Sequence, residues 1–169
     1  MKWPKALTLI ATIVLIGITI EAASYLFWKI KRYPYDLKGE AQIIDADSLF
    51  LDGRDVRLSG IDAPETNQIC DRNGQPWPAG RAATKWLNTQ IQGRVVGCNF
   101  ITHDKYIRIV ATCYVDGTDL NARIVGAGWA YAYRRYSKQY IPEEIAAKQA
   151  QKGIWIGDCV PPWEYRRRK

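Results

Sequence analysis

Three carboxylates and two arginines are the residues whose types and spacing allow chemistry. Asp47 lies in Ile44-Asp45-Ala46-Asp47-Ser48, and Asp62 and Glu65 close the run Val56-Arg57-Leu58-Ser59-Gly60-Ile61-Asp62-Ala63-Pro64-Glu65. Each carboxylate falls at the end of a strand-like stretch or in the turn after it. Gathered at one mouth, they form the oxygen-rich pocket that Ca²⁺ or another hard cation prefers. Pro64 stiffens the turn and so fixes how Glu65 is held relative to Asp62. Arg57 and Arg108 would face the same pocket from adjacent strands. A cation with two guanidinium groups suits a pentacoordinate phosphoryl transition state, because its charge builds on the equatorial oxygens. Taken singly, each residue has an ordinary explanation: Asp is common in turns, and a strand Arg is usually a solvated charge.

Other mechanisms fit poorly. His103 is the one histidine, which excludes schemes with two catalytic histidines or a multi-histidine zinc site. It reads as a solvated turn residue beside Asp104. No glutamate is followed two positions later by lysine, and neither a P-loop nor a G-x-S-x-G stretch is present.

The elements that must position these residues are short. Residues 40–45, 48–51 and 54–61 read as three strands, with Asp52-Gly53 as a hairpin signal between the last two. Alternation puts Val56 and Leu58 on one face and Arg57 on the other. Residues 93–100 and 107–115 are two further strands joined by a polar turn at 103–106. Residues 80–91 carry Ala83, Trp86, Leu87, Gln90 and Ile91 at helical spacing. Asp119 caps a second helix through Leu120, Ile124 and Val125, ended by Gly126 and Gly128. Pro142, with Glu143 and Glu144 in the first turn and Gly153 beyond the end, delimits a third. The pattern predicts an α+β, mainly β fold: a five-stranded barrel of the OB type with about three helices.

The motifs I-D-A-D-S, R-L-S-G-I-D-A-P-E, D-K-Y-I-R and L-N-A-R-I-V-G-A-G-W-A, in that order over residues 40–155, resemble the staphylococcal nuclease (thermonuclease) family. The resemblance implies an OB barrel and a Ca²⁺-dependent endonuclease acting on DNA or RNA with low sequence preference, leaving 3′-phosphate ends. It implies that Asp47 and Asp62 ligate Ca²⁺ through their carboxylates and Ala63 through its carbonyl. Glu65 then orients or deprotonates the attacking water, and Arg57 and Arg108 bind phosphate. Lys105, Tyr106 and Tyr136 match positions lining the nucleotide pocket, and Arg134 stands in place of a second pocket tyrosine. Three departures are visible: Ala46 for a glycine, Ser48 for threonine, and Ile107 for the glycine before the second arginine. A β-branched residue resists positive φ, so the turn must differ if the family's glycine uses that freedom, and the aim of Arg108 turns on this. The competing reading is a non-catalytic nucleic-acid- or protein-binding module on the same fold.

The N-terminus lies outside this domain. Residues 6–20 are apolar and uncharged, and apolar character resumes over 22–28 after Glu21. A helix of roughly 20 such residues spans a bilayer. Lys2 and Lys5 before it and small residues at Ala22-Ala23 also fit a signal peptide, whereas Tyr25-Leu26-Phe27-Trp28 resembles an interfacial aromatic belt. Residues 1–32 are therefore a signal anchor or signal peptide, and 33–39 a linker. The domain at 40–160 is expected outside the cytoplasm, as a monomer, tethered to the membrane if the first segment stays uncleaved.

Cys70, Cys98, Cys113 and Cys159 are even in number and widely spaced, which behind an export signal reads as two disulfides rather than four buried thiols. Three pairings are possible. Cys98 and Cys113 flank a hairpin and could face each other, which leaves Cys70 with Cys159. The +7 net charge favours polyanions, and 47% hydrophobic residues suffice for a core, so wholesale disorder is excluded. The basic tail at 161–169 reads as a frayed arm for loose phosphate contacts, not chemistry. The tryptophans (Trp77, Trp86, Trp129, Trp155, Trp163) read as packing, with base stacking reserved for Tyr106 and Tyr136.

Overall fold

The structure, a computed structural model, describes residues 35–168. The expected N-terminal hydrophobic helix lies outside them. Among the described residues no helix is long and apolar enough to cross a membrane.

The main sheet has seven strands where five were expected. Along it run β1 (Leu37–Glu40), β8 (Val95–His103), β9 (Ile109–Val115), β4 (Arg54–Leu58), β3 (Ser48–Leu51) and β2 (Gln42–Asp45), with β10 (Thr118–Asp119) added on β9. The β4–β9 pair is parallel and sets Arg57 opposite Val110; the other pairs are antiparallel. The sheet curls until Leu51 Cδ1 of β3 lies 3.5 Å from where a Cβ on Gly39 of β1 would be. Two small ribbons complete the β structure, β5 (Ile61–Asp62) with β11 (Tyr131–Ala132) and β6 (Cys70–Arg72) with β7 (Gln75–Trp77).

Alternation places Leu49, Leu51, Val56, Leu58, Val96, Ala111 and Val115 inside the curl. The helices α1 (Ala79–Ile91) and α2 (Leu120–Gly126) close it with Ala83, Leu87, Ile91, Leu120, Ile124 and Val125. Burying each large aliphatic side chain contributes about 1.5–3 kcal/mol. The expected caps are in place. Asp119 accepts from Ala122 N at 2.9 Å, and α3 (Ile141–Gln149) starts with Pro142 and two glutamates in its first turn.

Several boundaries move for identifiable reasons. The strand expected at 54–61 stops at Leu58, because Gly60 turns with φ 72° and sends Ile61–Asp62 to pair with β11 instead. The strand expected to end at residue 100 continues to His103 through a bulge between Phe100 and Thr102. The next strand starts at Ile109 rather than 107, since Ile107 sits at φ 66°. His103 thus ends a strand, exposed, its ring 4.9 Å from Phe100.

The stretch read as a linker is partly built in. Leu37 pairs with Cys98, Asp36 Oδ2 accepts from Phe100 N at 2.7 Å, and Tyr35 stacks on Tyr114. The tail is ordered too, with α4 (Pro162–Tyr165) and a 3₁₀ turn at Arg166–Arg168. Both disulfides have the expected partners: Cys98 faces Cys113 across β8–β9, and Cys70 joins Cys159 over 89 residues.

Candidate active site

A bulge aims the first carboxylates. The β2–β3 register shifts between Ile43 and Asp45, and Asp45 Oδ1 then accepts from Asp47 N at 3.0 Å. Bulges commonly redirect side chains beside functional sites. Asp47 is buried, and both its oxygens are held. Oδ1 accepts from Arg57 Nη1 at 2.8 Å and Ser48 Oγ at 3.1 Å, while Oδ2 accepts from Ala63 N at 3.0 Å. Arg57, the outward residue of β4, reaches with Nη2 to Asp62 Oδ1 at 2.9 Å. One guanidinium therefore bridges the two aspartates that the sequence paired.

Asp62 is fully buried, and its remaining contacts come from an unexpected source. Arg166 Nη2 donates to its Oδ2 at 2.7 Å, and Arg166 Nη1 donates to its Oδ1 at 3.1 Å and to Glu65 Oε1 at 2.6 Å. The tail residue read as part of a loose arm thus docks on two of the three carboxylates. Gln68, also buried, accepts from Glu65 N at 3.2 Å and donates to Val160 O at 2.7 Å, tying the Glu65 turn to the C-terminal segment.

The electrostatics follow from this crowding. Burial and then the Asp47 charge push the Asp45 carboxyl up to about 6. Burial, with Asp47 adding, also holds Asp62 above its ordinary range, although hydrogen bonds from Arg166 and the charges of both arginines oppose the rise. Burial disfavours the Arg57 charge, but Asp47 and Asp62 outweigh it and raise its pKa. Raised carboxyls beside a guanidinium whose charge they reinforce are common at functional sites, and structural ion pairs produce them too.

The donor chemistry fits a hard divalent cation. Asp47 and Asp62 converge on one point, oxygen donors predominate, and cationic guanidinium groups already sit among them. Among the described residues no three His, Cys, Asp or Glu side chains stand close enough to form a metal cage by themselves. An ion would take Asp47, Asp62 and the Ala63 carbonyl from the chain and further oxygens from water and substrate.

Arg108 stands apart from this cluster. Its Nε and Nη2 both lie 2.8 Å from Asp104 Oδ2, and Asp104 Oδ1 accepts from the backbone N of Tyr106 and Arg108. Against a burial penalty, these bonds hold the Asp104 carboxyl below its ordinary range. The same clamp carries Ile107 at φ 66°, a conformation that a β-branched residue resists. Lys105 Nζ lies 4.8 Å and Arg108 Cζ 5.6 Å from the exposed Tyr106 ring. Tyr106, Ile107 and Arg108 help line a cleft of about 390 Å³, together with Arg54 and Asp55. Arg134 pairs with the buried Glu144, which raises its pKa, and Tyr136 is exposed with its ring edge on Tyr133. None of these residues contacts the carboxylates directly.

Residues 55–157 match the staphylococcal nuclease homologue family. The chain belongs to that family. Over 143 residues it is 32% identical to an uncharacterised endonuclease of Escherichia coli, an overlap of 79% of this chain and 88% of that protein. It is also 33% identical over 121 residues to the succinoglycan biosynthesis protein ExoI of Rhizobium meliloti (69% and 63% of the two chains). A probable staphylococcal-like nuclease of Oryza sativa subsp. japonica is 32% identical over 119 residues, 68% of this chain and 33% of that one. The staphylococcal nuclease match takes in Arg57, Asp62, Ala63, Glu65, Lys105, Tyr106, Arg108, Arg134 and Tyr136, and it leaves out Asp47, Asp45 and Arg166.

Sequence reasoning missed Asp45, Gln68 and Arg166. The Asp-x-Asp spacing was a usable signal for Asp45, because an Asp side chain readily accepts from the backbone two residues on. Cys159, seven positions before Arg166, was a weaker signal that the tail is tied down. Gln68 carries no local signal.

Proposed function

We propose that this protein is a Ca²⁺-dependent endonuclease that hydrolyses phosphodiester bonds in DNA or RNA with low sequence preference, leaving 3′-phosphate ends. The observation that carries the proposal is the convergence of Asp47, Asp62 and Glu65 on arginines at 2.6–2.9 Å. The endonuclease and nuclease names of two relatives support it. The curled sheet is read as an OB-type barrel whose strand ends present these groups.

Asp47 and Asp62, with the Ala63 carbonyl, would hold the ion. When bound, Ca²⁺ supplies charge neutralisation and polarisation of a phosphoryl oxygen. Glu65, held by Gln68 and partly exposed, accepts the proton of a water aligned with the phosphorus. Arg57, fixed beside both aspartates, neutralises charge on the equatorial oxygens, and Arg108 approaches phosphate from the Asp104 clamp. Lys105, Tyr106, Arg134 and Tyr136 are assigned to nucleotide binding, because exposed cations and aromatic rings suit phosphates and bases. The protein is assigned an extracytoplasmic place, as a monomer held to the membrane by its apolar N-terminus. The two disulfides support an oxidising compartment.

Glu65→Gln tests this reading with the full chain in detergent, single- and double-stranded substrates, and Ca²⁺ or a chelator. It is expected to lower kcat by about 10²–10⁴-fold with little change in KM. Substrate bound but uncut by the unaltered protein in Ca²⁺ would favour the binding-module reading instead.

A further inference from the structure

We propose that Arg166 is a tethered counter-cation that occupies the carboxylate site and must leave before a divalent metal binds there, so that the C-terminal strap sets the metal affinity. The inference rests on the site assignment above. Arg166 spans Asp62 and Glu65 with three hydrogen bonds and uses both oxygens of Asp62. Three of the roughly four lone-pair positions of Asp62 are then taken by guanidinium donors, and the Arg166 charge repels a cation brought to what is left.

Charge points the same way. Above the Asp45 pKa of about 6, Asp45, Asp47, Asp62 and Glu65 carry four negative charges, and Arg57 returns one. A divalent cation would offset two of the remaining three, whereas Arg166 offsets one. The exchange lowers the residual negative charge, which favours it in a site this buried.

The strap is built to deliver that guanidinium. Cys159 is bonded to Cys70, its carbonyl accepts from Tyr131 Oη at 2.7 Å, and the next carbonyl accepts from Gln68. Pro162 is buried, and Trp163 stacks on Tyr133 with centroids 5.4 Å apart. Arg166 follows the packed Trp163 by three positions, and its side chain is still 40% exposed. It can swing out without unfolding the strap. A tethered competitor weakens the ion's apparent affinity by one plus the ratio of its effective concentration, about mM on so short a tether, to its own dissociation constant. Competition of that form shifts affinity measurably without abolishing binding.

Calorimetric Ca²⁺ titration of the full chain in detergent tests this without reference to activity. Arg166→Gln is expected to bind Ca²⁺ about tenfold more tightly than the unaltered protein. Arg166→Lys, which keeps the charge but not the two-pronged contact, should fall between them, and it preserves the test if the glutamine variant folds poorly. Arg167→Gln, whose Nε contacts only the Trp163 carbonyl here, should stay within about twofold. Equal affinity of Arg166→Gln and the unaltered protein, or weaker binding by the variant, overturns the proposal while leaving the Ca²⁺ site intact. Absence of Ca²⁺ binding by all of them overturns both the proposal and the metal assignment beneath it.

Discussion

Burial and the Asp47 charge push the Asp45 carboxyl up to about 6 from an ordinary 3.8, and this has a consequence for stability. A raised acid favours the fold fully below its unfolded value, and that contribution is lost as pH rises through the folded value. In the metal-free protein the Asp45 term is therefore present below pH 3.8 and gone above about 6. Asp45→Asn keeps an oxygen to accept from Asp47 N and removes the charge. It should raise the melting temperature at neutral pH by roughly 2–5 °C and change it little at pH 3.5. Equal shifts at both pH values would show that charge is not the cause. Ile107 makes a second case at this scale. It holds φ 66° with 82% of its surface exposed, and the left-handed region costs an L-residue about 1–2 kcal/mol. Packing gives little in return, so Ile107→Gly should stabilise the protein by about 0.5–1 kcal/mol in urea unfolding, after glycine's own entropy cost. An unchanged or lower midpoint would mean that the side chain makes a contact worth the strain.

At the scale of elements, the strongest periodic signals give the right structures. Leu49, Leu51, Val56 and Leu58 alternate on either side of Asp52-Gly53, and β3 and β4 follow. Ala83, Leu87 and Ile91 face the core from α1 at helical spacing. Elements of two residues, such as β5, β10 and β11, are too short to show a period and form because the chain around them is already placed. The β6–β7 ribbon has a hairpin signal in Asn73-Gly74, with φ 55° and 76°, but its flanks lack alternation. Within the site, Asp47, Arg57 and Asp62 are legible because local strand geometry delivers them. Arg166 is not, because a disulfide spanning 89 residues and aromatic packing on Tyr131 and Tyr133 deliver it. One close approach also fixes the Glu65 turn: a Cβ on Gly80 would lie 1.8 Å from Glu65 O. Gly80→Ala must push that turn away from α1, and a loss of about 2 kcal/mol or more is expected with reduced turnover. Normal stability and turnover would show the turn to be free to move.

Considered whole, the molecule joins a basic chain of net charge +7 to a small acidic cluster partly offset from within by Arg57 and Arg166. The positive surroundings attract a polyanion, and the acidic cluster admits a cation. Neither feature alone indicates hydrolysis. On the proposed reading, cleavage depends on the ion, since the substrate phosphate and the carboxylates otherwise repel each other. The most direct measurement is cleavage of a 5′-labelled single-stranded oligonucleotide by the full chain in detergent, with Ca²⁺ or with a chelator. Ca²⁺-dependent cuts at many positions, ending in 3′-phosphate, are the predicted result. No cleavage in Ca²⁺, or equal cleavage in chelator, would contradict it.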